Sequence, residues 1–313
     1  MGRNMDLPTP HTFIVAVSGG IDSCVLLHMI KNHYQGLSDV LREDPHIVVA
    51  HVDHGIRDNS SRDRLFVEKL ATRYGYEFES TELRLGSGAS EEEARTRRYE
   101  YLDGLVSKYH ADGVVTAHHK DDVLETAVIN ITRGTGRRGL SSLRSRAGRV
   151  RPLLDMTKDE LRSYAEENKL EWNEDETNND TKYLRNRIRV TLSDANSEWK
   201  DKFATHLQKV SQVNDLLDTQ IATILQYKLR GNSVLSRSWF VMLDHRMACE
   251  FMTAFLKKSQ VQNIDRALVE RLVIGLKAAR PGSKLDIDKS TYALITKRSM
   301  RLIDKKTLKT HIV

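Results

Sequence analysis

The chain has 313 residues, of which 39% are hydrophobic, with a formal net charge of +6 and an isoelectric point near 9.2. That length allows two domains with substantial cores. Cys24 and Cys249 are its two cysteines, which excludes a disulfide framework and a C-x-x-C metal or redox site, and no apolar run approaches a membrane span or a secretory signal. A soluble protein of a reducing, cytoplasmic setting is expected, and the modest basic excess permits a polyanionic partner without requiring one.

The first element is the most informative. Ile14 to Val17 is short and β-branched and reads as a buried strand. Gly19 and Gly20 then allow a sharp turn and close approach of a ligand, and Asp22 or Ser23 can cap the helix that runs through Leu26, Leu27 and Ile30. Free amides at such a helix start point at an anion, so Ser18, Gly19, Gly20, Ile21, Asp22 and Ser23 are candidate phosphate-binding residues. The stretch is not a Walker loop, because it lacks the longer glycine spacing and the Gly-Lys-Ser/Thr ending.

Strands are next expected at His46 to Val52, Tyr76 to Leu83 and Gly113 to Ala117, with Val150 to Leu154 a candidate last strand. Helices are expected at Ser60 to Tyr74, from a Ser90/Glu93 capping box through Tyr101 and Leu105, at Asp121 to Thr132, and at Thr157 to Asn168. Alternation of strands with long helices implies a doubly wound parallel α/β sheet with ligands at the carboxyl ends of its strands. Trp172 to Arg185 reads as a polar loop. A long helix containing Phe203, Leu207, Leu217, Ile221 and Ile224 reads as a connector or equally as a helix packed on the sheet, and shorter helices followed by an alternating stretch, Lys284 to Ile303, read as a small α+β domain. The expected organisation is a catalytic domain over 1–195, a helical connector over 196–231 and a C-terminal domain over 232–313.

Thr116-Ala-His-His-Lys-Asp-Asp-Val-Leu-Glu-Thr126 places histidines and carboxylates at a strand end and the following first helical turn. Asp122 and Glu125 are three apart, so one helix face presents neighbouring carboxylates suited to a cation or an amine. Capping by Asp121 or a solvated acidic face are the bland alternatives. A divalent-metal hydrolase, pooling His51, Asp53, His54, His118, His119 and Asp121 as ligands, is a rival reading. Asp53 and His54 follow the second strand, where nucleotide proteins meet ribose or base. Arg95 and Arg98 share a helix face and suit phosphate or developing negative charge, or else pair with Glu91 or Glu92. Arg133 to Arg151 carries seven arginines and no acid, as fits nucleic-acid phosphates or an ordinary basic loop. Further basic clusters follow at Arg185 to Arg189 and at Lys297 to Lys309.

Together these segments resemble the tRNA(Ile)-lysidine synthetase family of the N-type ATP pyrophosphatase (PP-loop) superfamily. The motifs are Ser18 to Ser23, Val52 to Arg57, Ala94 to Tyr99, Ala117 to Thr126, Arg133 to Leu140, Arg151 to Leu154, Asp175 to Asn179 and Arg185 to Arg189. Glu176 stands where the family usually has proline, and the length resembles a short form with one C-terminal domain. The resemblance implies a Rossmann-like PP-loop fold that uses ATP and Mg²⁺ to join L-lysine to C2 of the wobble cytidine of the CAU-anticodon isoleucine tRNA, through an adenylated tRNA. It implies Asp22 as loop acid and metal partner, Asp122 and Glu125 as holders of lysine, and Arg98, with Arg95 second, as stabiliser of the adenylate. Arg187 or Arg189 would act similarly, and Arg133, Arg137, Arg138 and Arg189 would contact tRNA. A homodimer is compatible with it. Rival functions are a tRNA thiolation enzyme, whose usual cysteine pairs are missing, and a non-catalytic RNA-binding module.

Overall fold

The computed structural model describes residues 11–37, 41, 44–53, 60–83, 91–173, 184–230 and 234–305. His54, Ser90 and the Asp175 to Asn179 motif lie outside them. The chain divides into two compact units, Met1–Val210 and Ser211–Val313.

The first unit is built on strands β1 (Thr12–Ala16), β2 (His46–Asp53), β3 (Glu77–Glu82), β4 (Gly113–Val115) and β5 (Gly148–Val150), all parallel, in the order β3-β2-β1-β4-β5. Its helices are α1 (Ile21–Lys31), α2 (Ser60–Tyr74), α3 (Glu91–Lys108), α4 (Lys120–Thr132), the short α5 (Arg137–Leu140), α6 (Lys158–Glu167) and α7 (Leu184–Ser193). β1 shows why the sheet is covered on both faces. Phe13, Val15 and Val17 join a core with Val25 and Leu26 of α1, Val67 of α2 and Leu161 of α6, whereas Ile14 packs with Leu102 and Leu105 of α3 on the other face. The period of two thus feeds two hydrophobic layers.

The winding reverses between β1 and β4, which opens a crevice at their carboxyl ends. β5 differs from the expected Val150 to Leu154. It ends at Val150 because Pro152 has no N–H to offer a ladder, and Leu153 instead enters the core from a turn. The β4–β5 approach is close, since a Cβ on Gly113 would lie 2.8 Å from the Gly148 backbone. The boundary between the units falls within α8 (Ser197–Lys228). Its Phe203, Ala204 and Leu207 pack with Leu124 and Ala127 of α4, within the first unit.

In the second unit, β6 (Leu229–Arg230), β7 (Val234–Ser236), β8 (Lys284–Asp286), β9 (Thr291–Ile295) and β10 (Ser299–Asp304) form an antiparallel sheet ordered β6-β7-β10-β9-β8. The short α9 (Arg237–Phe240), α10 (His245–Lys258) and α11 (Arg266–Ala278) supply Phe240, Phe251, Phe255, Leu272 and Leu276 to a core that Ile295 and Met300 complete from the sheet.

Candidate active site

The glycine turn after β1 is tied down from several sides. Gly19 has φ +94°, in the left-handed region that favours glycine, and its carbonyl accepts from Asn173 N at 2.9 Å. Gly20 is the N-cap of α1, and no side chain caps that helix. Ser23 instead knits the turn, as its hydroxyl donates to Gly20 O at 2.8 Å and accepts from Gly19 N at 3.2 Å. The sequence allowed Asp22 or Ser23 as cap. The observed arrangement leaves the α1 amides without a side-chain acceptor and so suited to phosphate oxygens.

Asp22 projects from the first turn of α1 towards residues that follow β4. Its Oδ1 lies 2.5 Å from Lys158 Nζ and its Oδ2 lies 3.8 Å from His119 Nε2. His119, buried at 6% exposure, is the N-cap of α4 and also faces Asp122 at 3.6 Å and Asp121 at 3.5 Å. Asp121 is not the cap, since its carboxylate accepts from Lys158 N at 2.8 Å, whereas Asp122 accepts from His119 N at 3.0 Å. Burial alone would push the His119 imidazole down, but Asp121, Asp122 and Asp22 outweigh it and hold it above its usual value. His119 holds Asp121 at about 2.

The neighbouring histidine sits in the opposite field. Burial, then Arg151, Arg95, Arg98 and Arg185, push His118 down to about 3. Arg95, Arg98 and Arg149 lie 5.1, 5.5 and 5.0 Å from the Tyr99 ring centroid. Burial opposes ionisation of Tyr99, yet Arg95, Arg98 and Arg151 draw its hydroxyl below the ordinary tyrosine value. Two adjacent histidines therefore separate an acidic compartment, holding Asp22, Asp121 and Asp122, from an arginine-rich one. The first suits a cation and the second suits an anion.

Glu125 is 2% exposed and receives a two-pronged contact from Arg189, Nε to Oε1 at 2.8 Å and a terminal nitrogen to Oε2 at 3.2 Å, with Arg185 Nε 3.9 Å away. Burial, against the pull of Arg189, holds its carboxyl above the usual range. Arg189 thus joins Glu125 in this structure. Arg187 is exposed and lies about 200° around α7 from each of Arg185 and Arg189, so the fold does not bring it to the cluster. Arg133 is exposed, while Arg137 and Arg138, in α5, are half-buried. Asp53 is half-buried at the end of β2.

Among the described residues, which leave out His54, the rival set of metal ligands does not assemble. His51 Nδ1 bonds Val17 O at 2.9 Å, His118 Nδ1 bonds Thr116 Oγ1 at 2.8 Å, and the arginines around His118 oppose a cation. Lys158 and Arg151 are site residues that sequence reasoning missed. Lys158 stands at the first position of α6, where the Thr157/Glu160 capping box signals only a helix start, and Arg151 opens the Arg151 to Leu154 motif, whose spacing assigns it no role.

Residues 3–196 match the PP-loop domain family model. The chain belongs to this family. PP-loop domains of this kind bind ATP. Among similar proteins, a tRNA(Ile)-lysidine synthase of Burkholderia mallei is 29% identical over 303 residues, covering 92% of this chain and 60% of that protein. The enzyme so named from Thermotoga maritima is 34% identical over 74% of this chain and 56% of its own length, and that of Staphylococcus aureus strain N315 is 35% identical over 69% and 50%. The chain spans between half and three fifths of the length of these relatives. The U34-tRNA thiolase NcsA from Methanococcus maripaludis shares the fold, with a TM-score of 0.50 at 17% identity over 67% of this chain and 75% of that one. Among the described residues no helix is long and apolar enough to cross a membrane.

The His119–Asp121 pair gives the PP-loop domain a pH-dependent stability. Asp121, depressed from 3.8 to about 2, contributes stability present above 3.8 and lost as pH falls through 2. His119, raised above 6.5, contributes stability present below 6.5 and lost as pH rises through its folded value. Asp121→Asn should therefore cost most, about 1–2 kcal/mol, between pH 4 and 6.5 and less on either side, as read by denaturant unfolding across pH. A cost that does not vary with pH would separate Asp121 from His119.

Proposed function

We propose that this chain is a tRNA(Ile)-lysidine synthase, joining L-lysine to C2 of the wobble cytidine of the CAU-anticodon isoleucine tRNA at the expense of ATP. The observation that carries the reading is the pair of opposed compartments around His118 and His119, one fit for an ammonium group and one for a phosphate. The names of the relatives support the substrates.

The C2 oxygen of cytosine is a poor leaving group. In the proposed sequence it first attacks the α-phosphate of ATP, and pyrophosphate departs along the Ser18 to Ser23 turn towards the α1 amides. Mg²⁺, which Asp22 would help to hold, supplies neutralisation of phosphate charge. Arg98 and Arg95, with Arg151 and Arg149 beside them, stabilise the adenylate in the arginine-rich compartment. The lysine ε-amine, with an ordinary pKa of about 10.4, then loses a proton to attack C2 and expel AMP. Asp122 and Glu125 hold the incoming lysine, and Glu125, kept above the usual carboxyl range by burial, serves as proton acceptor.

Purified protein incubated with ATP, Mg²⁺, L-lysine and a minor isoleucine tRNA transcript should yield one cytidine heavier by a bound lysine, with none in the absence of ATP. Formation of AMP dependent on tRNA but without that mass gain would reassign the nucleophile, and no AMP at all would overturn the reading. Thiolation is disfavoured because Cys24 and Cys249 are the chain's two cysteines and form no closely spaced pair in the sequence.

Arg133, Arg137 and Arg138 are assigned to the tRNA backbone. Replacing Arg137 and Arg138 by alanine should weaken tRNA binding across sequences and flatten the dependence of log affinity on log salt by about 2, measured by filter binding. An unchanged slope would remove that assignment.

A further inference from the structure

The second unit holds a cluster for which the proposed reaction has no use. His245 opens α10, Cys249 lies one turn further along it, and Glu270 faces them from α11. His245 Nε2 is 2.8 Å from Glu270 Oε2 and 3.7 Å from Cys249 Sγ. One ligand atom from each residue lies within 4.8 Å of the other two, a convergence no other group of three such side chains shows among the described residues.

A catalytic relay would be arranged differently. There the acid holds one ring nitrogen and the thiol meets the other, so that a proton passes along a chain. Here the same Nε2 faces both partners, and the three atoms converge on a point. Convergence of an imidazole, a thiol and a carboxylate suits a cation. The other oxygen of that carboxylate, Oε1, lies 3.9 Å from Arg266 Nε, and Oε2 is the one nearest His245.

We propose that His245, Cys249 and Glu270 form a binding site for Zn²⁺ or a divalent transition metal of similar softness. Nε2, Sγ and Oε2 supply three positions and a solvent molecule the fourth. A thiolate beside an imidazole selects against Mg²⁺ and Ca²⁺, which take oxygen ligands. Bond lengths of about 2.0–2.3 Å to a tetrahedral ion separate ligand atoms by roughly 3.3–3.8 Å. The histidine–glutamate contact therefore has to open slightly, and side-chain rotation on two fixed helices suffices. Bound metal would fasten α10 to α11.

The test uses the untagged chain, stripped of metal by a chelator and titrated with Co²⁺. A single saturating site with a near-ultraviolet thiolate-to-cobalt charge-transfer band, displaced by Zn²⁺, is expected. Cys24 is 2% exposed in the core of the other unit, so the band reports Cys249. Cys249→Ser should abolish the band, while Glu270→Gln and His245→Ala should each weaken binding by at least the roughly tenfold that losing even an outer partner of a metal ligand causes. Absence of the band, or its survival in Cys249→Ser, would overturn the proposal. The readout is spectroscopic and does not depend on tRNA modification, so either reading can fail without the other.

Discussion

Asp22→Asn is expected to reduce adenylation of the tRNA by about 10²–10³-fold, the loss typical when one preorganised charge-stabilising group is removed from a reacting centre. Asp22 stands in the first turn of α1, beside the amides assigned to pyrophosphate, and its two oxygens face Lys158 and His119. Asparagine keeps the shape but offers one acceptor and an N–H₂ that is a poor partner for Lys158 or for an N–H of His119. The fold itself should lose little, because a partly exposed ion pair contributes about 0–1 kcal/mol. Single-turnover release of pyrophosphate in the presence of tRNA measures the step directly. A loss of less than tenfold would take Asp22 out of the reacting centre. Lys158→Ala separates two versions of the role. If Asp22 acts only by holding Lys158, the two single variants and their double will lose the same amount. If Asp22 acts on ATP and its metal, Asp22→Asn will lose more.

The parts of the molecule that were legible in the sequence are those whose cause is local. The strand, glycine turn and helix over Ile14 to Ile30 follow from β-branching, glycine and helical spacing within one short window, and the structure reproduces them. The sheet order was not written anywhere locally, yet alternation of strands and helices was enough to place the glycine turn and the His118-His119 segment at strand ends, and Asp22 and His119 face each other at the carboxyl ends of β1 and β4. Contacts across long sequence separations were invisible. Lys158 reaches Asp22 across 136 positions and Arg189 reaches Glu125 across 64, and no periodicity encodes either. Arg185 and Arg189 are four apart on a helix and share a face, whereas Arg187 lies between them on the other side, so it could have been set apart from spacing alone. The cluster in the second unit was missed for the converse reason, since His245 and Cys249 have ligand spacing but Glu270 arrives from the next helix.

Glu125→Gln is expected to separate the two half-reactions, lowering lysine transfer by about 10²-fold while adenylation falls less than tenfold. The physical basis is that Glu125 is nearly inaccessible and already spans Arg189, yet burial keeps its carboxyl above the ordinary range. Such a group takes a proton more readily than an exposed carboxylate does, and lysine must surrender one. Transfer in the unaltered enzyme should therefore rise with pH from 4.5 upward as Glu125 ionises, and the variant should lose that limb. Stability moves in the opposite sense. A carboxyl raised in the folded state stabilises the protonated form, so folding stability declines as pH rises from 4.5 through the folded value, and Glu125→Gln should flatten the decline. Glutamine also turns an N–H₂ towards the Arg189 fork, so a variant that lost packing around α7 would fail in both half-reactions alike. Equal losses would then make Glu125 and Arg189 a shared scaffold under the site, and the lysine-holding role would pass to Asp122. Unequal losses, with a raised KM for lysine, would leave Glu125 where the acidic face of α4 puts it, at the point where an ammonium group enters and a proton leaves.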